Sequence, residues 1–253
     1  MTLNGKVALI TGGTGGIGQK IVDCLAKNGI NTVYFTAFHK VNEAADFSES
    51  IKKQFSIECA WYKCDISKYA EVESVVNTII AQSGKIDILI NNAGVIKNKF
   101  WMYVSEEEWD SVIDVNLKGS FNCIKAVSRH MVRNKYGRIV NISSLAGIAG
   151  GTGQVAYSAS KAGMLGLTAT AVREFSRYNI KAFSIIPGMV ETDLTKNFSE
   201  NEKSKLLELI PMGRFARPEE IADAVWFLIS DCVNLKNGLQ LIVDGGLHLT
   251  YEE

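Results

Sequence analysis

The feature that most restricts how this chain can fold is a glycine loop between a strand and a helix. The apolar run 6–10 leads directly into residues 11–18 (TGGTGGIG), and a helical apolar period follows until Asn28 and Gly29. Backbone N–H groups at a helix start can face a phosphate only where no Cβ blocks the approach, and the helix dipole favours the anion. The stretch predicts a phosphate-binding turn, with a tight glycine-rich turn as the alternative.

Strand-like runs alternate with helical periods along the whole chain, and no Pro-rich or Ser-rich linker or internal repeat interrupts them. With 253 residues, 47% of them hydrophobic, the chain can bury a large core. We therefore predict one α/β domain over residues 1–253, a Rossmann-type, doubly wound and mostly parallel sheet of seven strands. The predicted strands cover residues 6–10, 32–36, 57–63, 86–90, 138–143, 181–186 and 238–243.

Several helix ends are predicted from local signals. Ser67 and Ser105 are expected to cap helices, and Pro218 is expected in the first turn of another. The segment 189–204 mixes polar and apolar residues without a clear period. We expect it to be mobile and to cover a ligand.

Charge and composition exclude several classes of partner. Lys+Arg and Asp+Glu both number 27, and like charges form no run, which argues against nucleic acid or an anionic membrane surface. The apolar runs are strand-sized and residues 1–6 lack a signal core, so we expect a cytoplasmic protein without a membrane segment. No metal site is expected, because the three histidines fit no ligand pattern. The cysteines are odd in number and favour a reducing compartment: Cys24, Cys59, Cys64, Cys123 and Cys232.

The end of the second predicted strand bears on the choice of cofactor. Dinucleotide folds place an acidic residue for the ribose hydroxyls about 20 residues past the glycine loop. Here Thr36 is followed by Ala, Phe, His39 and Lys40, with no acid before Glu43. The neutral position and the two basic side chains leave room for a 2′-phosphate, which favours NADPH over NADH. Lys40 fits a solvated loop residue equally well.

Tyr157 and Lys161 are the strongest candidates for chemistry. They lie one turn apart on an Ala-rich predicted helix, so they share a face. An ammonium beside a phenol lowers its pKa, and the pair can then do acid–base work. Ser144 follows a predicted strand, at the end where α/β sheets bind ligands. A Tyr and a Lys at this spacing are common, so the pair alone favours no site.

Asn116 and residues 91–94 are two further polar features of the sequence. Asn116 falls within a long apolar helix, where a buried amide must be hydrogen-bonded and often accompanies a local distortion or a bound water. Residues 91–94 (NNAG) end the fourth predicted strand. They suit a cofactor crevice and a simple turn equally.

In combination these motifs resemble the short-chain dehydrogenase/reductase family over essentially the whole chain. The family's glycine pattern is matched by Thr11, Gly12, Gly16 and Gly18, its acidic adenine contact by Asp65, its strand-end motif by residues 91–94, its helix asparagine by Asn116, its catalytic set by Ser144, Tyr157 and Lys161, and its Pro-Gly turn by Pro187, Gly188 and Thr192. The cofactor-binding residues that the resemblance implies are Gly12, Thr14, Gly15, Gly16, Ile17, Gly18, Thr36, His39, Lys40, Asp65, Ile66, Asn92, Ala93, Gly94, Tyr157, Lys161, Pro187, Gly188, Val190 and Thr192.

The resemblance also implies a reaction. Within the family the chain is similar to NADPH-dependent reductases of 3-oxoacyl thioesters, and its ending at His248 is similar to reductases of acetoacetyl-CoA. Tyr157 would donate a proton to the keto oxygen and Ser144 would hydrogen-bond it, with Gln154 also at the substrate. Lys161 would lower the tyrosine pKa and hold the nicotinamide ribose, and Asn116 would hold a water. Ser143 is not expected to be catalytic.

Alternatives and departures accompany this interpretation. The substrate could instead be a 3-oxoacyl group on acyl carrier protein, as in fatty acid synthesis, or a sugar, steroid or other alcohol. A dinucleotide-binding regulator without turnover ranks low because the catalytic set is intact. A carrier protein would need a basic face, for which the candidates are Arg129, Arg133, Lys135 and Arg138, with Arg173 and Arg177 elsewhere. Relatives are usually homotetramers joined through the Asn116 and Tyr157 helices. Phe183 stands where relatives often have Asn, and Gly15 stands where many NADPH-using relatives have Arg.

Overall fold

The computed structural model describes residues 3–196, 198–230 and 237–250. Seven strands form one sheet: β1 (Val7–Ile10), β2 (Thr32–Ala37), β3 (Glu58–Lys63), β4 (Ile88–Asn91), β5 (Gly137–Ile142), β6 (Ile180–Pro187) and β7 (Gln240–Val243). The helices are α1 (Gly16–Lys27), α2 (Val41–Phe55), α3 (Tyr69–Ser83), α4 (Glu106–Ile113), α5 (Gly119–Asn134), α6 (Ala146–Ala149), α7 (Val155–Phe175), α8 (Asp193–Lys196), α9 (Glu200–Leu209) and α10 (Pro218–Ile229). Cys232 lies outside the described residues.

The strand order is β3-β2-β1-β4-β5-β6-β7, and every pairing between these strands is parallel. Strands such as β1 and β5 are buried along their whole length because helices cover both faces of the sheet. The direction of winding reverses between β1 and β4. In doubly wound sheets ligands bind at the carboxyl ends of the strands beside this switch point. The predicted fold class is confirmed.

Two apolar clusters hold the layers together. One lies between the sheet and helices α1, α2 and α10, and includes Ile21, Phe35 and Val225. The other lies between the sheet and helices α3, α5 and α7, and includes Val76, Val127 and Ala171. Among the described helices, none is long and apolar enough to cross a bilayer.

The local helix signals were mostly correct. Ser105 caps α4 in a reciprocal capping box with Glu108, and Pro218 occupies the first turn of α10. The cap predicted at Ser67 is wrong: Lys68 precedes α3, and the Ser67 hydroxyl donates to Asp65 at 2.6 Å instead. A hydroxyl next to a free carboxylate binds it in preference to the more distant helix N–H groups.

The segment 189–204 contains more regular structure than its irregular pattern predicted. It includes α8 and the start of α9, and Ser199 caps α9 in a second capping box, with Glu202. The apolar period of α9 is weak because it is exposed along most of its length. The capping box at Ser199, rather than amphipathicity, is the sequence signal that indicates α9.

The distortion expected at Asn116 is present. Residues 114–118 form a turn of π-helix that joins α4 to α5, with Asn116 at its centre and fully buried. Such π-turns occur mostly inside α-helices at functional sites. This one lies beside the carboxyl end of β4, because the Asn116 side chain binds the backbone of Val95.

Candidate active site

The glycine loop packs closely on its own side of the sheet and is open towards solvent. An added Cβ would lie 2.9 Å from the Ala93 Cα at Gly12 and 2.2 Å from the Gly12 carbonyl oxygen at Gly18. At Gly15 the nearest atom would be 3.5 Å away, and Gly15 and Gly16 are exposed. No side chain caps the start of α1. The exposed, uncapped helix start therefore fits a phosphate group.

Neighbouring strand ends hold this loop in place. Asn92 donates from its side-chain amide to the carbonyl oxygens of Thr11 and Gly12 at 3.0 and 3.1 Å. The Thr11 hydroxyl accepts from the backbone N–H groups of Asn92 and Ala93, both at 3.0 Å. Thr36 accepts from the Gly12 N–H at 3.4 Å. Asn92, Ala93 and Thr36 were predicted to bind a cofactor. In the structure their side-chain and backbone groups hydrogen-bond the glycine loop and shape it.

Of the other residues predicted to bind the cofactor, some pack in the core and others are exposed to solvent. Thr14 is buried, and Ile17 packs against the cluster beneath α1. At the end of β2, His39 and Lys40 are exposed. The Lys40 Nζ lies 3.4 Å from a Glu43 oxygen and 3.7 Å from an Asp193 oxygen, so acidic groups already surround this cation.

Asp65 follows the carboxyl end of β3. Burial raises the pKa of its carboxyl, but hydrogen bonds from the hydroxyl and N–H of Ser67 and from Lys68 outweigh this and lower it. Asp65 is therefore ionised at neutral pH and can accept from an adenine or ribose donor. Ile66 is buried against Gly119, and its carbonyl accepts from the Asn122 amide at 2.9 Å. Its side chain is a core group.

Ser144, Tyr157 and Lys161 are brought together at the carboxyl end of β5. Ser144 follows β5, and Tyr157 and Lys161 lie on the first two turns of α7. Tyr157 is half-buried, and its phenol lies near enough to the Ser144 hydroxyl for that group to influence its pKa. Lys161 is buried, and its Nζ donates to the Ile142 carbonyl at 2.8 Å. The predicted catalytic residues thus share one site.

The electrostatics differ from the expectation for Tyr157. Burial raises the pKa of its phenol, and the neighbouring Ser144 hydroxyl lowers it by a smaller amount. The predicted lowering by Lys161 is wrong because the Nζ is turned to Ile142 and lies 5.6 Å from the centre of the tyrosine ring. Burial also lowers the pKa of Lys161 to about 8. At neutral pH the site therefore presents a protonated phenol above a largely protonated lysine.

Asn116 lies beneath this pair. Its Oδ1 accepts from the Val95 N–H at 2.8 Å, and its Nδ2 donates to the Val95 carbonyl at 2.9 Å. A Cβ added to Gly94 would lie 3.3 Å from the Asn116 Oδ1 and 3.5 Å from the Lys161 Nζ. Gly94 therefore separates the Asn116 side chain from the Lys161 ammonium and keeps this part of the site open.

The segment after β6 reaches back to the glycine loop. Pro187 accepts from the Leu145 N–H at 2.8 Å, and Gly188 faces Asp244 so closely that its added Cβ would lie 2.7 Å from the Asp244 Cβ. Val190 is buried. Thr192 lies over the start of α1, where its Cγ2 would be 3.3 Å from a Cβ on Gly16. Thr192 thus closes the side of the crevice above the glycine loop.

Three other residues from the sequence analysis have clear positions. Gln154 precedes α7 and pairs with Lys99 in an isolated parallel bridge. Phe183 is fully buried in the cluster on the α1 side of the sheet, so it is a packing residue. The His248 ring bonds the Asp244 carboxylate at 2.7 Å in the last short helical turn. This contact gives His248 a structural role, and the acetoacetyl-CoA substrate stays a prediction.

Two serines that the sequence analysis did not identify hold the turn of α7 from Tyr157 to Lys161, which we call the catalytic turn. The Ser143 hydroxyl donates to the Lys161 carbonyl at 2.8 Å, and the Ser160 hydroxyl donates to the Tyr157 carbonyl at 2.7 Å. Ser160 could have been found, because a serine three residues after the tyrosine on a helix reaches that carbonyl. The role of Ser143 depends on a contact between β5 and α7, so no local pattern indicated it.

The arrangement is a dinucleotide crevice with a tyrosine, a serine and a lysine at its centre, and comparison with known proteins gives the same class. A family model described as short chain dehydrogenase matches residues 6–203. The chain belongs to this family and is an NAD(P)-dependent oxidoreductase.

Individual relatives extend the match to nearly the full length. The 3-oxoacyl-acyl-carrier-protein reductase of Staphylococcus epidermidis is 39% identical over 244 residues, which covers 96% of this chain and 99% of the relative. The enzyme of the same name from Thermotoga maritima is 38% identical over 247 residues, which covers 98% and 99%. The crystal structure of a putative short-chain alcohol dehydrogenase from Sinorhizobium meliloti superposes with a TM-score of 0.92 at 35% identity, covering 98% of each chain.

Proposed function

We propose that this protein reduces the keto group of a 3-oxoacyl thioester, with NADPH as the hydride donor and acyl carrier protein as the preferred carrier. The observation that carries the proposal is that Ser144, Tyr157 and the buried Lys161 meet at the carboxyl end of β5, in the crevice beside the glycine loop. The similarity to 3-oxoacyl-acyl-carrier-protein reductases supports the substrate class. We take residues 1–253 as one catalytic domain.

When bound, the dinucleotide supplies the hydride for the keto carbon. The residues that would hold it are those of the glycine loop, Asp65 and Lys161. Tyr157 donates its phenolic proton to the keto oxygen as negative charge develops there. The raised pKa of Tyr157 suits this direction, since the phenol stays protonated at neutral pH. Ser144 donates a second hydrogen bond to the same oxygen, so both donors act where charge appears in the transition state.

Lys161 and Asn116 support this proton transfer. Lys161 keeps a cation beneath the site at neutral pH, since its pKa is about 8. Both hydrogens of the Asn116 side-chain amide are donated, one to Val95 and one to Ser160. Its Oδ1 accepts only from the Val95 N–H among the described residues and keeps one lone pair, to which the expected water would donate.

The preference for NADPH rests on the residues after β2. No acidic side chain stands at Ala37 or Phe38, where it would repel a 2′-phosphate, and His39 and Lys40 are exposed beside this position. Glu43 and Asp193 reduce the positive electrostatic potential around Lys40, but the lysine side chain stays exposed to solvent.

A basic concavity supports acyl carrier protein as the partner. Arg129 on α5 and Arg173 on α7 line one concave surface together with Arg177, although the sequence analysis had placed them apart. All three are exposed. Arg138 was predicted in this patch, but it is buried and donates to backbone carbonyls of Gly137 and Asn179. Carrier proteins are acidic, so complementary charge would favour docking here.

Assembly into a homotetramer is part of the same proposal. Large apolar side chains are exposed along the stretch that contains α4 and the start of α5, which is a typical mark of a protein interface. They are Phe100, Trp101, Met102, Tyr103, Trp109 and Phe121, with exposures of 36–81%.

One assay tests the function. Purified protein is mixed with acetoacetyl-acyl carrier protein or acetoacetyl-CoA, and loss of NADPH or NADH absorbance is followed. We expect NADPH oxidation with both thioesters and a higher kcat/KM with the carrier protein. Tyr157→Phe should lower kcat about 100-fold or more without unfolding the protein. Absence of turnover with every 3-oxoacyl thioester, together with reduction of NADP by an alcohol, would contradict the proposal.

A further inference from the structure

Ser160 lies between two parts of the active site that are far apart in sequence. It is fully buried on α7, between Tyr157 and Lys161. Its Oγ accepts from the Asn116 Nδ2 at 3.0 Å and donates to the Tyr157 carbonyl at 2.7 Å. A hydroxyl has one proton and two lone pairs, so both bonds form at once. One oxygen atom therefore links the π-turn to the backbone of the proton donor.

The Asn116 end of this link is rigid. Each hydrogen of the Asn116 amide is donated, one to Val95 and one to Ser160, and Oδ1 accepts from the Val95 N–H. An amide turned by 180° would face the Val95 N–H with its NH₂ group and the Val95 carbonyl with its oxygen, and would lose both bonds to Val95. The network therefore fixes the orientation of the amide that Ser160 meets.

The catalytic turn is held on its other side by β5. Ser143, which follows β5, donates to the Lys161 carbonyl at 2.8 Å. The adjacent residues Ser160 and Lys161 are thus tied to different elements, one to the π-turn and one to the sheet. A turn held at only one of these points can rotate, which would move the Tyr157 phenol away from Ser144. Small displacements of reacting groups cause large losses in rate.

We propose that Ser160 is a positioning residue for Tyr157, which fixes the catalytic turn of α7 against the amide of Asn116. The inference rests on the proposed function, since it assigns Tyr157 as the proton donor. Ser160 does not touch the substrate. Its removal should therefore lower kcat and leave the KM for the thioester nearly unchanged.

The test compares two serines on the same helix. Ser160→Ala removes the link, and Ser158→Ala is the matched control, because the Ser158 Oγ is buried without a hydrogen-bond partner among the described residues. We expect kcat to fall about 10-fold for Ser160→Ala with the KM within about twofold. Ser158→Ala should have the kcat of the wild type. Ser160→Thr keeps a hydroxyl that can bond the same carbonyl and should restore most of kcat.

The outcomes separate the two proposals. A Ser160→Ala variant with the kcat of the wild type, or one whose loss of kcat Thr does not restore, overturns the positioning role. If Ser160→Ala does not fold, Ser160→Cys fills a similar volume with a weaker donor, and an unchanged kcat in it likewise overturns the role. If the wild type turns over no 3-oxoacyl thioester, the proposed function fails. The same variants are then compared on an alcohol that the wild type oxidises.

Discussion

Lys161 is a cation that the fold stabilises poorly. Its ammonium is buried, and desolvation lowers its pKa from 10.5 to about 8. One backbone acceptor, the Ile142 carbonyl, lies at 2.8 Å. A folded-state pKa below that of the unfolded chain means that the unfolded chain binds more protons between about pH 8 and 10.5. Stability contributed by this group therefore rises with pH across that window.

Lys161→Met should make the protein more stable and less active. At pH 7 we expect the free energy of unfolding to rise by about 1–3 kcal/mol, because a buried charge is replaced by an apolar side chain of similar length. The gain over the wild type should shrink as the pH rises from 8 to 10.5. Urea unfolding of both proteins at several pH values measures this, and a gain that grows with pH would contradict the assignment.

Lys40 should decide part of the cofactor preference. Lys40→Ala removes an exposed cation near the expected 2′-phosphate, so the KM for NADPH should rise about 5- to 10-fold while that for NADH stays the same. Lys53→Ala, an exposed lysine at the other end of α2, is the control. Equal changes for NADPH and NADH in Lys40→Ala would exclude a contact with the 2′-phosphate.

At the scale of elements, the glycine loop contains two kinds of glycine. Gly12 and Gly18 allow close packing within the loop and against Ala93 after β4, whereas a Cβ at Gly15 would make only an ordinary contact at 3.5 Å. The first kind is required by the fold of the loop. The second leaves room in front of α1, where backbone N–H groups would meet the proposed phosphate.

Gly18→Ala and Gly15→Ala should therefore differ. The added methyl group at Gly18 would lie 2.2 Å from the Gly12 carbonyl oxygen, so the loop must move. We expect a loss of roughly 2 kcal/mol or more in unfolding free energy and weaker NADPH binding. Gly15→Ala should keep its stability within about 0.5 kcal/mol. Thermal unfolding and cofactor titration measure both, and equal destabilisation by the two substitutions would contradict this division.

On the scale of the whole molecule, α5 and α7 combine two functions. The π-turn before α5 holds Asn116 and the first turn of α7 holds Tyr157 near the crevice, whereas the second halves of α5 and α7 carry Arg129 and Arg173. The basic concavity is thus joined to the active site through two packed helices.

Arg129→Glu combined with Arg173→Glu tests the docking face. The ratio of kcat/KM for acetoacetyl-acyl carrier protein to that for acetoacetyl-CoA should fall about 10-fold or more, because like charges across an interface repel. Lys53→Glu adds the same kind of charge change on α2 and should leave the ratio unaltered. Added salt should reduce the difference between the double variant and the wild type. An unchanged ratio would place the carrier elsewhere.

The sequence alone determined the fold class and predicted Ser144, Tyr157 and Lys161 as catalytic residues, which the structure brings together. Strand and helix periods, glycines and caps are local signals, so β1, the glycine loop and α1 could be predicted within a few residues. Tyr157 and Lys161 lie four apart on one helix, and their proximity also follows from local geometry.

Only the tertiary structure decided what these side chains contact. It turned the Lys161 ammonium towards Ile142, raised the pKa of Tyr157 by burial, and buried Arg138 while grouping Arg129 with Arg173. The physical reason is the same in each case. Desolvation and hydrogen bonding depend on residues that are distant in the chain, and the periodicity of one segment contains no information about them.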